Sequence, residues 1–528
     1  MRNSFFLVIP EQKKAPELIL SYEESNLRQW VADLPAANPS LSTRLLLDQL
    51  TDMNSVEMPA TDRLTALEII RPHFLQIQDY LRTRLIQTGF PKTLNEQKIM
   101  GVLSTLEKQL CIGYWICVRQ LSQRNISWFQ SKHLGLALQR TLKGLSTIAL
   151  THFIMNKPVP EWVWIDLHSL YKLSKKHKKE TVKIPDASNI SHKSSVEDCY
   201  KQILLLSLAD PSTLMQREFT LCYHFIEKLT SLVSLQEEPV NAMAKQCLIQ
   251  TDEDIPPFFA SQATPDSSAR LFIDLTRLNK ICQQVDKWVD PQEFRYNPSR
   301  QNSNHQPKLA SDLFNQLAQS WQGNSLQNTP LFSDRIDRLA AIGLDATYEL
   351  QSNLIQTKSP LQDEIRAESF SEKSLSIEFN RTNALSIGSL VSFRRIDAMP
   401  QQRALAVVTR LELTKQDNKL IFEPKLISQQ VFPATYIPFD ADKNEVPPQK
   451  ALLYAVKKDN TEKTYIILDS FSLKRGDLLR LFFNNENFPI ILNNRTNIGL
   501  GYWQFECGRL EEKQVAKVQP KKKGFDFI

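Results

Sequence analysis

Residues 404–413 read ALAVVTRLEL, and the alternation in this stretch decides the fold of the second half of the chain. Arg410 and Glu412 alternate there with apolar residues: Leu405, Val407, Leu411 and Leu413. Because successive side chains of a strand point to opposite faces, the pattern predicts a half-buried β-strand.

Similar short β-rich runs occur on both sides of this strand and are separated by turn residues. They cover residues 375–379, 390–394, 419–423, 451–456, 464–468, 478–483 and 502–505, and a further strand is predicted at 340–348. Eight of the 13 glycines lie after residue 322, where tight turns need them. The second half is therefore predicted to be antiparallel β structure, forming one or two small barrels.

The first half has a different period. Apolar residues recur at helical spacing over most of residues 22–290, which predicts consecutive antiparallel helical hairpins, with a solenoid-like stack as one possible packing. The chain is thus expected to be a multidomain α + β protein. The expected divisions are an all-α domain at 22–290, a polar linker at 291–308, a helix plus β-barrel at 309–435, a second β module at 436–510 and a basic disordered tail at 511–528.

Composition excludes several classes of enzyme. Glycine makes up only 13 of 528 residues, and neither GxGxxG nor GxxxxGK[ST] occurs, which argues against dinucleotide folds and P-loop enzymes. The eight histidines form no HExxH or HxE motif, and GxSxG is absent. We therefore expect no catalytic residue, no metal and no cofactor, and a protein that is not an enzyme.

The seven cysteines include no CxxC pair, and the N-terminus has no apolar run long enough for a signal peptide. No apolar stretch approaches the 18 residues that a membrane span requires. These features predict a cytoplasmic protein with reduced thiols and no membrane insertion.

The net charge of +6 is concentrated in one segment. Residues 101–200 carry 14 Lys/Arg against 7 Asp/Glu, including five lysines between 172 and 179. Aromatic residues interleave with these cations: Tyr114, Trp115, Trp128 and Phe129. Nucleic-acid binding through this segment is one hypothesis, and the alternative is a set of buried aromatics beside a solvated basic helix end.

Two short motifs in the β-rich half indicate a ligand site. Residues 334–338 read DRIDR, just before the first strand, and residues 369–374 read SFSEKS, between two early strands. Arginine presents a planar fork that pairs with phosphate and with the edge of guanine, and it stacks on bases.

This arrangement resembles the PilZ domain, a six-stranded barrel that binds cyclic di-GMP through RxxxR before the first strand and DxSxxG between early strands. The helical half resembles a proteobacterial family that has a long helical region ahead of a PilZ-like region. The segments that carry this second resemblance are ANP at 37–39, LEIIRP at 67–72, LLLSLADP at 204–211 and DIPP at 254–257.

The resemblance implies that cyclic di-GMP is the ligand and that the helical region binds an unknown protein partner. The ligand-binding residues that it implies are Arg335, Arg338, Ser369, Ser371 and Ser374. The chain departs from the family pattern in three places: the two arginines are three positions apart instead of four, Ser369 replaces Asp, and Ser374 replaces Gly. The alternative is a degenerate scaffold that has lost the nucleotide, with its arginines bridged to Asp334 and Asp337.

Overall fold

A computed structural model describes residues 7–123, 128–186, 192–239, 245–260, 270–290, 294–295, 308–324, 329–352, 358–414, 419–440, 446–458 and 461–511. Most of the predicted linker at 291–308 and of the predicted tail at 511–528 lies outside these residues. The chain divides into two compact units, one formed by residues 1–289 with 314–326 and the other by 290–313 with 327–528.

Helices dominate the first unit. Its long helices begin at defined caps: the Thr93 hydroxyl accepts from the Glu96 N–H, and the Ser195 hydroxyl accepts from the Asp198 N–H. The bounds are α1 Pro16–Ser21, α2 Glu24–Ala32, α3 Pro39–Ser55, α4 Ala60–Leu85, α5 Leu94–Ser122, α6 Trp128–Ile154, α7 Val163–Lys176, α8 Val196–Leu208, α9 Glu218–Leu229, α10 Thr276–Cys282 and α11 Ser311–Trp321. Among the residues with described positions, no helix is long and apolar enough to cross a membrane.

The first unit also contains a small sheet that the sequence analysis did not predict. After the pair β1 Ile184–Pro185 and β2 Lys193–Ser194, four antiparallel strands follow in the order β3-β6-β4-β5. Their bounds are β3 Ser234–Gln236, β4 Gln246–Gln250, β5 Phe258–Ala260 and β6 Arg270–Asp274. The all-α character predicted for 22–290, which included a helix over 271–289, is therefore wrong at β6, because a short apolar run such as RLFID fits either period.

Helix α11 packs within the first unit, although the sequence analysis grouped it with the barrel that follows. The Trp321 indole N–H donates to the Leu205 carbonyl at 3.0 Å, and Trp321 is fully buried. The strands β7 Val289–Asp290 and β8 Leu309–Ala310 lie on either side of the predicted linker in the chain.

The second unit contains two closed six-stranded barrels, which confirms the predicted fold class. The first barrel is formed by β9 Arg338–Ile342, β10 Ile365–Ser369, β11 Leu375–Glu378, β12 Leu390–Arg395, β13 Ala404–Leu413 and β14 Lys419–Ser428. The strand predicted over 340–348 is wrong in its second part, since β9 ends at Ile342. Gly343 takes a left-handed φ of +92°, and α12 Leu344–Ser352 begins directly after it.

The second barrel repeats the connectivity of the first. Its strands are β15 Phe432–Pro438, β16 Gln449–Lys458, β17 Thr461–Leu468, β18 Leu478–Phe483, β19 Glu486–Asn497 and β20 Trp503–Arg509. Counted from one to six within each barrel, the strands of both follow the ring order 1-2-3-6-5-4, with antiparallel pairing throughout. The two barrels are thus two copies of one topology.

A short sequence repeat marks the same turn in both copies. Residues 385–390 and 473–478 share the pattern LxxGxL, immediately before the fourth strand. Gly388 and Gly476 both take left-handed φ angles, of +86° and +94°. Their N–H groups donate to corresponding carbonyls on the fifth strand, those of Val408 and Leu492, at 2.8 and 2.7 Å.

The two barrels are joined through a shared apolar cluster. Leu390 and Leu405 of the first barrel pack with Leu452 and Ile467 of the second, and Leu344 of α12 joins them. A backbone hydrogen bond of 2.7 Å runs from the Leu500 N–H to the Gly388 carbonyl. Both barrels accordingly belong to the same compact unit.

Candidate functional site

The fold brings the two predicted motifs together at one edge of the first barrel. The N–H groups of Leu331 and Phe332 both donate to the Glu372 carbonyl, at 2.8 and 3.0 Å. Glu372 lies in the five-residue connection between β10 and β11, and Phe332 is fully buried against Phe393. The arginine segment 334–338 therefore starts from a fixed point on the serine hairpin 369–374.

Arg335 is the available cation of this edge. Its backbone has a left-handed φ of +52°, and its N–H donates to the Phe332 carbonyl at 3.0 Å, which closes a turn. The side chain is exposed and has no hydrogen-bond or ion-pair partner among the described residues. A left-handed conformation is uncommon for a residue with a Cβ and is typical of functional turns.

Arg338, by contrast, is already occupied. It is 5% exposed, and its Nη2 donates to both carboxylate oxygens of Asp334, at 2.7 and 2.9 Å. Its guanidinium also lies over the Phe332 ring and donates to the Ile336 carbonyl. Burial alone would raise the pKa of Asp334, but the hydrogen bonds from Arg338 and the Ile336 N–H hold it below its ordinary value.

Asp337 connects the arginine segment to the hairpin strand. Its carboxylate accepts from Arg366 at 2.7 and 3.1 Å and from the Ser369 N–H at 3.2 Å. The hydrogen bond from Arg366 is the main reason that the pKa of Asp337 is lowered. The sequence analysis considered Asp337 as a partner of the motif arginines, and the structure pairs it with Arg366.

The three serines of the hairpin differ in what their hydroxyls do. Ser371 and Ser374 lie with their hydroxyl oxygens 2.6 Å apart, and the Ser371 oxygen also accepts from the Ser374 N–H at 3.1 Å. The Ser369 hydroxyl is buried without a partner. Position 374 needs no glycine here, because its φ is not in the left-handed region.

Two arginines that the sequence analysis missed lie beside this site. Arg366 on β10 and Arg395 on β12 belong to the strands that flank β9, and their side chains are 65% and 45% exposed. Arg395 binds Asp397 at 2.8 Å and approaches Asp334 at 3.5 Å. Pairing across strands, which no local motif encodes, brings them here.

The second barrel lacks both parts of this site. Three residues, Gln429, Gln430 and Val431, separate its first strand from the preceding one, and none is an arginine. Its second and third strands are joined by two residues instead of five. The arginine segment and the serine hairpin therefore occur together in the first copy and not in the second.

The basic segment of the first unit does not present its aromatics for stacking. Tyr114 and Trp115 are 1% and 7% exposed, while the side chains of Trp128 and Phe129 lie outside the described residues. Lys172 pairs with Asp252 and Lys175 pairs with Glu237, at 3.0 and 2.8 Å. The nucleic-acid hypothesis therefore loses Tyr114 and Trp115 as stacking platforms.

The thiols and histidines show no sign of catalytic activation. Six cysteines are buried, and burial raises the pKa of Cys117 to about 12. Both ring nitrogens of His168 are hydrogen-bonded, to the Tyr200 hydroxyl at 2.6 Å and to the Ile255 carbonyl at 3.0 Å. Within the described ranges, no group of three or more metal-ligating side chains comes together.

The helical half of the chain is similar to a known protein domain. Residues 25–240 match the family model described as "Cyclic-di-GMP receptor FimW, N-terminal domain". Three of the four segments that carry the sequence resemblance, at 37–39, 67–72 and 204–211, lie within the matched residues. It covers α2 to α9 and ends before the barrels begin.

A curated relative gives the same result. The cyclic-di-GMP receptor FimW of Pseudomonas aeruginosa is 27% identical over 212 residues, which are 40% of this chain. The aligned part spans 35% of that receptor's own length, about one third. No solved structure matches the chain.

Proposed function

We propose that this chain is a receptor for cyclic di-GMP and that the nucleotide binds at the edge of the first barrel, where the arginine segment 334–338 adjoins the serine hairpin. The observation that carries the proposal is an exposed arginine without a partner, held in a left-handed turn beside that hairpin. The similarity of residues 25–240 to the N-terminal domain of a cyclic-di-GMP receptor supports the choice of ligand.

In this proposal the guanidinium of Arg335 pairs with a phosphate or with the O6/N7 edge of a guanine. The buried Ser369 hydroxyl supplies a free donor, and Ser371 and Ser374 supply hydroxyls on the same hairpin. Arg338 joins them only by exchanging its Asp334 partner for the ligand. Such an exchange replaces one charge-assisted pair by another, so its net cost is small.

The receptor is proposed to work without catalysis and to signal through its helical unit, which would bind a protein partner. Ligand binding can shift that interaction only if the nucleotide favours one of two conformations of the chain. The similarity to a cyclic-di-GMP receptor supports this type of function.

A scaffold that no longer binds the nucleotide is the second candidate. One observation favours it: the Asp334 carboxylate already accepts the hydrogen bonds from Arg338 that a phosphate of the ligand would accept. The loss of the family's aspartate at Ser369 acts in the same direction, since a hydroxyl supplies no charge.

Isothermal titration of the full chain with cyclic di-GMP tests the proposal. Arg335→Ala is the test variant, and Arg381→Ala is its matched control, because Arg381 is also exposed on the first barrel. A charge-assisted contact contributes about 1.5–3 kcal/mol, so Arg335→Ala should weaken binding about tenfold or more. The control should bind as the wild type does.

Failure of the wild-type protein to bind cyclic di-GMP at high micromolar concentration would leave the scaffold as the better description. Equal loss in both variants would mean that a diffuse charge effect, and not Arg335, holds the ligand.

A further inference from the structure

A cavity of about 220 Å³ lies inside the helical unit, between α4, α5, α6 and α9. It falls wholly within the residues that match the receptor's N-terminal domain. Its rim includes the exposed residues Thr220 and His224 of α9 and the ion pair between Lys143 and Asp186, at 2.9 Å. The cavity is therefore reachable from the surface.

Arg71 of α4 lines this cavity and is the unusual residue in it. Arg71 is only 4% exposed. Its Nε is buried and has no hydrogen-bond acceptor. No described residue forms a hydrogen bond or an ion pair with its guanidinium. A guanidinium remains charged in proteins, and a buried charge without a partner is strongly unfavourable.

The other cations of the cavity wall all have partners. Arg140 donates to both carboxylate oxygens of Glu68, at 2.9 Å each, and Arg82 donates to Glu107 at 3.0 Å. Glu68 also accepts from the Tyr114 hydroxyl at 2.6 Å, so its oxygens are engaged. The charge of Arg71 helps to lower the pKa of Glu68, but no described carboxylate forms a hydrogen bond or an ion pair with its guanidinium.

Glu107 is the one carboxylate inside the wall that retains an unpartnered oxygen, Oε2. Burial raises its pKa, which favours the protonated form of this group. A protonated carboxyl group is a hydrogen-bond donor and does not repel an anion. Among the described residues of the wall, Arg71 is thus a cation without a hydrogen-bonded counter-charge, and Glu107 in its protonated form is a donor.

We propose that this cavity binds a compact oxyanion, the phosphate or carboxylate group of a small molecule, through the guanidinium of Arg71. The fork of an arginine pairs with two oxygens of such a group at once. Pockets for drug-sized ligands have volumes of roughly 300–1,000 Å³, so a cavity of about 220 Å³ takes a smaller molecule than a dinucleotide. This site is distinct from the barrel site and does not depend on the function proposed above.

The test uses the full chain, with inorganic phosphate and malonate as separate probes and chloride at equal ionic strength as the reference. Thermal unfolding is followed by the helical signal in circular dichroism, and binding is measured by titration calorimetry. The variant is Arg71→Met, which removes the charge and keeps most of the volume. Arg84→Met, at an exposed position on the same helix, is the matched control.

We expect at least one probe to raise the unfolding temperature of the wild-type protein and of Arg84→Met, but not that of Arg71→Met. In chloride alone, Arg71→Met should unfold at the same temperature as the wild type or higher, because it removes an unpaired buried charge. A response to phosphate only assigns a phosphoryl ligand, and a response to malonate only assigns a carboxylate.

The proposal is overturned if neither probe stabilises the wild-type protein, or if Arg71→Met responds to them as the wild type does. Should Arg71→Met fail to fold, Arg71→Lys replaces it. Lysine keeps the charge and loses the fork, so the affinity for the effective probe should fall about tenfold.

Discussion

The carboxylate of Asp334 accepts two hydrogen bonds from one nitrogen of Arg338, at 2.7 and 2.9 Å, and thereby neutralises an arginine that the PilZ resemblance assigns to the ligand. The Arg338 side chain is 6% exposed, and the Asp334 side chain is 31% exposed. A nucleotide that uses Arg338 must therefore compete with a carboxylate four residues away in the same chain.

Asp334→Asn should raise the affinity for cyclic di-GMP, because an amide competes less well than a carboxylate for the guanidinium. We expect about a tenfold gain, which corresponds to about 1.4 kcal/mol. Titration calorimetry measures it, and Asp397→Asn, which removes an exposed partner of Arg395, serves as the control. Unchanged or weaker binding by Asp334→Asn would show that Arg338 is structural and does not contact the ligand.

Glu364 lies between two arginines inside the first barrel, and its replacement should strongly reduce the unfolding free energy. Its oxygens accept from Arg394 at 2.6 and 2.7 Å and from Arg403, and all three side chains are fully buried. Glu364→Gln leaves two buried positive charges without a counter-charge, so we expect a loss of about 3–5 kcal/mol in the unfolding free energy.

Urea unfolding measures this loss, with Glu368→Gln as the control. Glu368 pairs with Lys419 on the barrel surface, and its removal should cost less than about 1 kcal/mol. Similar losses in the two variants would mean that the buried triad contributes no more than a surface pair.

Hydrogen bonds from Arg394 hold the pKa of Glu364 low despite its burial. Its contribution is therefore present above the pKa of the unfolded chain and is lost as the pH falls through the folded-state value.

Gly499 should tolerate no side chain. A Cβ at this position would lie 2.5 Å from the Gly388 carbonyl oxygen, at the contact between the two barrels. Gly499→Ala should therefore destabilise the second unit by about 1–3 kcal/mol in urea unfolding. Gly101→Ala is the control, because that position on α5 has open space around it and alanine favours helix by about 0.5–1 kcal/mol. A neutral Gly499→Ala would show that the barrels can separate slightly without cost.

The stability of the helical unit should depend on pH through His168. Burial lowers the pKa of this histidine from 6.5 to about 4. The neutral ring thus stabilises the fold above about pH 6.5, and the contribution is lost as the pH falls toward 4, at no more than about 1.4 kcal/mol per pH unit.

His168→Gln should flatten that slope in unfolding experiments run across the same pH range. His73→Gln, at a partly exposed position on α4, should leave it unchanged. If both variants keep the wild-type slope, other groups determine the acid sensitivity of this unit.

The sequence predicted the elements whose pattern is local. The strand at 404–413 and the strand at 478–483 have the predicted bounds, since alternation and flanking turns define them. The serine segment was correctly placed just ahead of the strand predicted at 375–379, whereas the strand before it, β10, was not predicted. The strand predicted at 340–348 is correct only as far as Ile342, because Gly343 takes a left-handed φ and α12 begins directly after it.

The electrostatics of the site could not be predicted in the same way. The pair between Arg338 and Asp334 is local and was one of the alternatives that the sequence offered. The arginine that reaches Asp337 is Arg366, 29 residues away, and the pairing of β9 with β10 brings it there. Nor does any motif identify Arg71, whose lack of a partner results from the packing of four helices. The shared strand order of the two barrels could not be predicted from the sequence either, since LxxGxL is the short pattern that we find in both.

The low similarity of the two barrels has a consequence for their synthesis. Adjacent domains with one topology can misassemble by exchanging strands before folding is complete. Val408 and Leu492 accept equivalent hydrogen bonds, so the fifth strands of the two barrels can be aligned on them. In that alignment Pro489 of the second barrel corresponds to Leu405 of the first. Proline has no N–H to donate to a neighbouring strand. A strand exchanged between the copies at this position would therefore meet a proline where a leucine N–H is available in the other copy, which disfavours the exchanged pairing.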